Sequence, residues 1–455
     1  MFPKAGEWSG KRILVLGMAK SGIAVAKLLH RLGAKVTVND KKPREETPEA
    51  AQLEELGVRV ILGGHPDSLL SEDIDLIVKN PGIPYHIPFI QKAIYAHIPI
   101  VTEIEVAGRL TDSPLIGISG SNGKTTTTSL VGEMLVAGGL KARVAGNIGT
   151  ALTEAIQEAD SKEWLVTELS SFQLKGIDQF HPQVAALLNI VPTHLDYHQT
   201  MEDYIASKRQ LFRNQTETDI AILNYDDPVC RSLSRDLPST VWWFSRCGPV
   251  ASGVYADGGK IFIHLPDQIP RVLMSTKEVS LPGSHNLENA LAAIAIALAC
   301  GVSDQAIDQV LRTFRGVEHR LEFVREVNGV RYYNDSKATN PQATIQALHS
   351  FRSPIVLIAG GMDRGADFFE LVPVFSQRVK ALVAYGETGP LLLQRAAEAG
   401  IPAQLVENVT QGVQNAKELA QEGDIVLLSP SCASWDLYSS FEERGSIFKQ
   451  AVHRL

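Results

Sequence analysis

Short unbroken apolar runs, each ending in glycine or a polar residue, constrain this chain more than any other feature. RILVLG, KVTVND and DLIVKNPGI come first, then PLIGISG, EWLVTELSS, VAALLNI and IAILNYDDP, and finally PIVLIAGG, ALVAYGE and DIVLLSPS. A strand with one face in water alternates polar and apolar residues, whereas a strand covered on both faces has no need to. Helical stretches such as SGIAVAKLLHRLG and KTTTTSLVGEML stand between the runs. Buried strands alternating with helices specify parallel sheets layered with helices, an α/β architecture. Ligands of such sheets bind beyond the C-terminal ends of the strands, and those are the ends where this chain places its polar residues.

At 455 residues the chain is too long for one ordinary core. One boundary is expected at IVTEIEVAGRL and another near TFRGVEHRLEFV, giving segments 1–102, 103–316 and 317–455. There is no tandem repeat and no low-complexity tract. The formal net charge of −8 argues against a nucleic acid or an anionic membrane as the main partner. None of the four cysteines forms a CxxC pair, so neither a disulfide framework nor a zinc ribbon is expected, and a reducing cytosol fits. The start, MFPKAGEWSGKRILVLG, runs into a strand without the pattern of a signal peptide. The longest apolar run, Ala290 to Val302, is too short for a bilayer and predicts a buried Ala-rich helix.

The stretch GISGSNGKTTTTSL, Gly117 to Leu130, follows an apolar strand and opens a helix. Backbone N–H groups of a Gly-rich turn bind phosphate oxygens, a lysine at the helix start reaches the β and γ phosphates, and the next hydroxyl serves Mg²⁺. Lys124 and Thr125 occupy those two positions. The strict pattern has glycine six residues before the lysine, where this chain has Ile118. A plain Gly-rich turn with a solvated lysine is the simpler alternative, but it does not require Gly-Lys-Thr.

A second turn, LGMAKSG from Leu16 to Gly22, also joins a strand to a helix, and Asp40 ends the next strand. This resembles a dinucleotide fingerprint, but its middle glycine is missing: positions 19 and 20 are Ala19 and Lys20. A nicotinamide-dependent oxidoreductase, a site for another nucleotide, and a structural turn all remain open on these residues. Glu168, at the end of an apolar strand, is placed to hold Mg²⁺ or simply to cap a helix. His194, Asp196 and His198 in PTHLDYH lack the further ligands of a tetrahedral zinc site. Tyr204, Lys208 and Phe212 share one helical face, and Lys208 alone reads as a snorkelling lysine.

Together, SGSNGKTTTT, AGNIGT, TELSSFQL, LNIVPTHLDYH, YIASKRQLF, LPGSHNLENALAA, VEHRLE, NDSKATNPQAT and SPSCASWDLYSSFEERG resemble the Mur ligases of peptidoglycan synthesis, over nearly the whole chain and in the same order. The phosphate loop is shared with the wider family, whereas NDSKATN and the SPSCASWD…FEERG tail resemble the branch that adds D-glutamate. The resemblance implies three α/β domains: an N-terminal Rossmann-like domain for a uridine nucleotide sugar, a central P-loop domain for ATP, and a C-terminal Rossmann-like domain for the amino acid. Ala19, Lys20, Asp40 and Gly82 would line the UDP site, with Asn147 and His194 further along the substrate. Gly120, Ser121, Asn122, Gly123, Lys124, Thr125 and Thr126 would hold the ATP phosphates. Asn286, Asn289, Arg320 and Asp335 match ATP-side positions, with His319 adjacent. Thr125, Glu168, His194 and Lys208 match the metal-linked set, Lys208 being the position that is carbamylated in the family. Lys337, Thr339, Ser434 and Phe441 match positions near D-glutamate. Arg364 stands where some relatives have lysine.

The implied cofactors are ATP and Mg²⁺ at two sites, and the implied substrates are UDP-N-acetylmuramoyl-L-alanine and D-glutamate. The implied chemistry is carboxylate activation as an acyl phosphate followed by amide formation, catalysed by Lys124, Glu168, His194 and Lys208. A cytoplasmic bacterial monomer with no nucleic acid or membrane partner is expected, and domain closure around the substrates would exclude water. The alternatives are a sister ligase or folylpolyglutamate synthase, an oxidoreductase, and a nucleotide switch without chemistry.

Overall fold

The apolar runs are strands in the computed structural model, which describes residues 8–455; the stretch read for a signal peptide lies partly outside the described residues. In the first sheet the strands lie in the order Arg59–Leu62, Lys35–Asp40, Arg12–Leu16, Leu76–Lys79, Ile100–Val101, and every pair is parallel. The chain starts on the middle strand, steps outward to one side, then crosses to the other. That reversal opens a crevice at the C-terminal ends of Arg12–Leu16 and Leu76–Lys79. Gly17 follows the first of these at φ +98°, and a Cβ there would come 2.7 Å from the Asn80 Cβ. The helix Lys20–Arg31 buries Ala26, Val25 and Leu29 in the cluster that holds Val15, Val36 and Val38.

The second sheet has nine strands. Its parallel part runs Ala142–Gly146, Trp164–Glu168, Leu115–Ser119, Val184–Leu187, Ile220–Asn224, Thr240–Ser245, Gly253–Asp257. Lys260–His264 and Arg271–Ser275 extend it antiparallel. Gly258 and Gly259, at φ +52° and +76°, make the two-residue turn between Asp257 and Lys260. A turn with both central residues left-handed suits the twist of a hairpin and favours glycine. The Ala-rich run forms the expected helix, Ser284–Ala299, with Ala290 to Ala297 fully buried.

The third sheet runs Glu322–Val327, Val330–Asn334, Ile425–Leu428, Ile355–Gly360, Val379–Tyr385, Ala403–Leu405. Only its first pair is antiparallel. The chain divides into two compact units: Met1–Glu278 with Glu288–Arg312, which carries the first two sheets, and Val279–Leu287 with Thr313–Leu455, which carries the third. Among the described residues no helix is long and apolar enough to cross a membrane.

Within the first unit, the helix Glu103–Leu110 joins the two sheets through buried carboxylates. Glu105 accepts the N–H groups of Asp178, Gln179 and Phe180 at 2.9–3.0 Å and pairs with Arg109 at 2.5 Å. Glu103 accepts the N–H of Thr153 at 2.5 Å and has no cation beside it to offset its burial, which pushes its pKa up to about 7. The folded state therefore holds a proton that the unfolded chain has released between about pH 4.5 and 7, so this group's contribution falls as pH rises through that window. Glu103→Gln should stabilise the protein by up to about 3 kcal/mol at pH 8 and leave it unchanged near pH 4. Urea unfolding at the two pH values checks this.

Candidate active site

The loop 119–124 leaves the strand Leu115–Ser119 and enters the helix Lys124–Ala137. Helix N-termini carry N–H groups with no preceding turn to bond, so they are ready anion sites. Gly123 sits at φ +84°, and a Cβ there would fall 2.1 Å from the Asn289 Oδ1. A neighbouring strand end shapes the loop from outside: the Ser121 N–H donates to the Asn189 carbonyl at 2.9 Å, and the Asn122 N–H to the Asn189 Oδ1 at 2.8 Å. Ser121 Oγ is 2.8 Å from the Tyr204 hydroxyl. The Lys124 ammonium folds back on its own loop, donating to the carbonyls of Gly120 at 2.9 Å and Ser121 at 3.0 Å.

Glu168 ends the strand beside the loop strand and is 2% exposed. Its two oxygens have separate partners, the Thr125 hydroxyl at 2.8 Å and the Asn147 amide at 2.9 Å. Lys208, 1% exposed, donates to the Gly120 carbonyl at 2.8 Å and to Ser119 Oγ at 3.2 Å. Burial first, then the Lys124 ammonium, pulls its pKa well below that of an ordinary lysine. Tyr204, Lys208 and Phe212 are all buried. So Lys208 does not snorkel; its ammonium ends under the phosphate loop.

His194 lies in the left-handed region at φ +55° and caps the short helix Leu195–His198. Burial of its ring, and then Lys124, lower its pKa. His198 is instead locked between Asp203 at 2.7 Å and Ser171 Oγ at 2.9 Å, the role of a satisfied core histidine. Among the described residues, no group of three or more His, Cys, Asp or Glu side chains is arranged to hold a metal.

At the crevice of the first sheet a cavity of about 530 Å³ is lined by Ala19, Asp40 and Gly82, with Gly17, His65 and Asn80 among its other walls. The Asp40 carboxylate accepts the Met18 N–H at 2.6 Å and the Lys42 N–H at 3.0 Å, bracing both rims. Lys20 lies outside that lining: its ammonium donates to the Gly149 carbonyl at 2.7 Å, two residues from Asn147.

In the second unit, Asp335 is buried between the Ser429 hydroxyl at 2.9 Å and the Leu321 N–H at 3.1 Å, and burial pushes its pKa up to about 7. Arg320 is the cation that acts on it. The Asn286 amide donates to the Pro282 carbonyl at 2.7 Å. The Lys337 ammonium lies 5.6 Å over the Phe441 ring, and the Arg364 guanidinium 4.6 Å over that of Trp435. The Thr339 N–H bonds the Lys337 carbonyl, and the buried Ser434 carbonyl accepts the N–H groups of Leu437 and Tyr438. Sequence reasoning missed Arg444, which is fully buried and ties Ser336 to the Cys432 carbonyl at 2.8–3.1 Å. It also missed Asn189 and Tyr204 as loop supports. The only sequence sign for Arg444 was its place in the FEERG motif, where an exposed helical arginine would look the same.

A Gly-rich strand–loop–helix of the pattern that binds phosphate, with a buried carboxylate and two lysines converging on it, is the mark of the nucleotide-binding α/β enzyme class. Three family models match in series: Mur ligase MurD-like, N-terminal domain at 11–102, Mur ligase middle domain at 118–297, and Mur ligase, glutamate ligase domain at 319–432. The chain belongs to the Mur ligase family. It is 52% identical to the UDP-N-acetylmuramoylalanine–D-glutamate ligase of Geobacillus kaustophilus and 50% identical to that of Geobacillus sp. WCH70, each over 98% of both chains. Its fold is that of the UDP-N-acetylmuramate-alanine ligase MurC from Thermotoga maritima, with TM-score 0.56 and 19% identity over 98% of this chain and 99% of that one. The pseudomurein peptide ligase type C from Methanothermus fervidus shares it too, with TM-score 0.56 and 16% identity over 98% and 100%.

Gly123→Ala puts a side chain on a left-handed residue against Asn289, at a cost of about 1–3 kcal/mol. ATP affinity measured by calorimetry should fall roughly tenfold to a hundredfold, with the far-ultraviolet circular dichroism unchanged.

Proposed function

We propose that this chain is an ATP-dependent amide ligase that adds D-glutamate to UDP-N-acetylmuramoyl-L-alanine in peptidoglycan precursor synthesis. The names of its full-length relatives support the choice of substrates, and the three matched Mur ligase models support ATP-driven ligation. The observation that carries the reading is the convergence on the phosphate loop, where Glu168 meets the Thr125 hydroxyl and Lys124 and Lys208 meet the Gly120 carbonyl.

In this reading the substrate carboxylate attacks the γ-phosphorus in line. The bond to the β-phosphate oxygen breaks, ADP leaves and an acyl phosphate forms. Two anions must approach, and Lys124 with the loop N–H groups neutralises the charge that develops. The uncharged amine of D-glutamate then attacks the acyl carbon, and the tetrahedral adduct expels phosphate and loses a proton to give the amide. No protein nucleophile is required, because aligning bound reactants contributes on the order of 7–11 kcal/mol.

Mg²⁺ at two sites belongs to the same reading. The Glu168 carboxylate beside the Thr125 hydroxyl supplies hard oxygen donors of the right kind. Thr125, Glu168, His194 and a carbamate on Lys208 would hold it, and when bound it neutralises phosphate charge. Burial lowers the Lys208 pKa and so favours the uncharged amine, the form that adds CO₂, whereas an ammonium neither adds CO₂ nor ligates a cation. Gly120 to Thr126 serve the ATP phosphates, and Asn286, Asn289, Arg320 and Asp335 serve the rest of ATP. Ala19, Lys20, Asp40 and Gly82 serve the UDP moiety, with Asn147 and His194 nearer the reacting carboxylate. Lys337, Thr339, Arg364, Ser434 and Phe441 serve D-glutamate. The proposed domains are 1–102, 103–316 and 317–455, in a cytoplasmic monomer with no nucleic acid or membrane partner.

Phosphate release from ATP, with UDP-N-acetylmuramoyl-L-alanine and Mg²⁺ present, should occur with D-glutamate and not with L-glutamate, D-alanine or no amino acid. Release with another amino acid moves the specificity to a sister ligase, and no release at all from folded, ATP-binding protein sinks the ligase reading. Lys208→Met should lower turnover by about 10²–10³-fold. A lysine whose folded pKa is depressed opposes folding at neutral pH and stops doing so as pH rises toward its unfolded value. The Lys208→Met thermal midpoint at pH 7 should therefore be no lower than that of wild type.

A further inference from the structure

Lys79 ends the strand Leu76–Lys79 and is 1% exposed, yet its ammonium has no part in the chemistry proposed above. It donates to the carbonyls of Ile83 at 2.7 Å, Asn80 at 3.1 Å and Pro81 at 3.2 Å, and to the Tyr197 hydroxyl at 3.2 Å. These are carbonyl and hydroxyl oxygens, not a carboxylate. The Tyr85 ring covers the ammonium at 4.7 Å, and Lys175, paired with Asp203 at 2.6 Å, lies 5.2 Å from that same ring. A buried cation without an acid partner costs stability, and here burial, then Lys175, lowers the Lys79 pKa to about 7. The four oxygens and the faces of the Tyr85 and Tyr197 rings are what offset its desolvation.

The turn it grips is the wall of the cavity. Asn80, Gly82 and Ile83 all line that space, so three carbonyls turned inward to one ammonium fix the peptide planes that face it. Tyr197 makes the link to the second sheet. Its hydroxyl donates to the Pro81 carbonyl at 3.0 Å, and its ring lies 4.3 Å from Phe172, which in turn packs at 5.0 Å against His194. Tyr197 belongs to the short helix that His194 caps, so its hydroxyl ties that helix to the carbonyls of Pro81 and Ile83.

We propose that Lys79 and Tyr197 are positioning residues that lock the cavity wall at Asn80–Ile83 to the His194 segment, so that a nucleotide sugar held at one end is presented in register at the other. This rests on the proposed function, which places the UDP moiety in the cavity and the reacting carboxylate toward His194. The linkage acts on alignment rather than on nucleotide binding at the phosphate loop.

The test is steady-state kinetics on Tyr197→Phe, Lys79→Met, Lys79→Arg and the double variant Lys79→Met/Tyr197→Phe, together with calorimetric titration of UDP and of ATP. Tyr197→Phe keeps the ring and removes only the link, so it should lower kcat by about tenfold to a hundredfold and leave UDP and ATP affinity within twofold. Lys79→Met should weaken UDP binding as well as lower kcat. Lys79→Arg, which keeps donors for the carbonyls, should recover part of both. The double variant should lose no more kcat than the worse single one. Normal kcat and KM in Tyr197→Phe and Lys79→Met, with only the thermal midpoint moved, would overturn the proposal. So would losses of kcat that multiply in the double variant. A wild-type protein that turns over no nucleotide sugar would overturn the functional reading instead, and the positioning proposal with it.

Discussion

Two lysines donate to one carbonyl oxygen. Lys124 and Lys208 reach Gly120 O at 2.9 and 2.8 Å, from the loop's own helix and from the helix Met201–Arg209. Two ammonium ions cannot share so small a space inside a protein without a counter-charge. The fold eases this by burying Lys208, which pulls its pKa well below that of an ordinary lysine, while Lys124 keeps a partly exposed place on the loop. The surrounding groups follow from this asymmetry. Glu168 is spent on Thr125 and Asn147 rather than on a lysine, and His194 is pushed toward neutral imidazole by burial and by Lys124. Lys124 and the helix N-terminus it opens are the positive groups left to meet a nucleotide's phosphates.

Topology puts these groups within reach of one another. Ser119, Glu168 and Leu187 end adjacent parallel strands, so their following loops open on one edge of the second sheet. Leu16 and Lys79 do the same on the first sheet, at the point where strand order reverses. The two edges are held by hydrogen bonds as well as by apolar contact: at the surface Lys20 reaches Gly149, and further in Tyr197 reaches Pro81 and the buried Glu105 takes three N–H groups from 178–180. Buried polar ties of this kind are worth little net energy, but an alternative arrangement would leave them unsatisfied, so they specify geometry.

Much of the fold was legible because fully covered strands carry unbroken apolar runs. Each such run became a strand. Several of the strands that were missed are edge strands, such as Arg59–Leu62, Ala142–Gly146, Arg271–Ser275 and Ala403–Leu405, whose sequences are short or mixed in polarity; Thr240–Ser245, Gly253–Asp257 and Val330–Asn334 were missed although they lie inside their sheets. The hairpin at Gly258-Gly259 was readable and was overlooked: VYAD and KIFIH flank a two-glycine turn. At the site, Gly-Lys-Thr and the polar strand ends stood out in the sequence. Asn189, Tyr204, Arg444 and Lys79 did not, because a residue that acts by bracing a distant loop leaves no local pattern.

The sequence by itself determined the class of fold, the place of the phosphate loop and the residue types beside it. These are local properties: apolar period, glycine where a turn needs it, a lysine and a hydroxyl at a helix start. Tertiary structure alone decided what each charged group became. Lys208, Lys79 and Lys20 are indistinguishable as letters, yet one is buried against the Gly120 carbonyl, one is a clamp on three carbonyls, and one a tie to Gly149. A side chain's charge state and partners depend on desolvation and on groups far away in the chain, and those are known only once the sheets have brought them together.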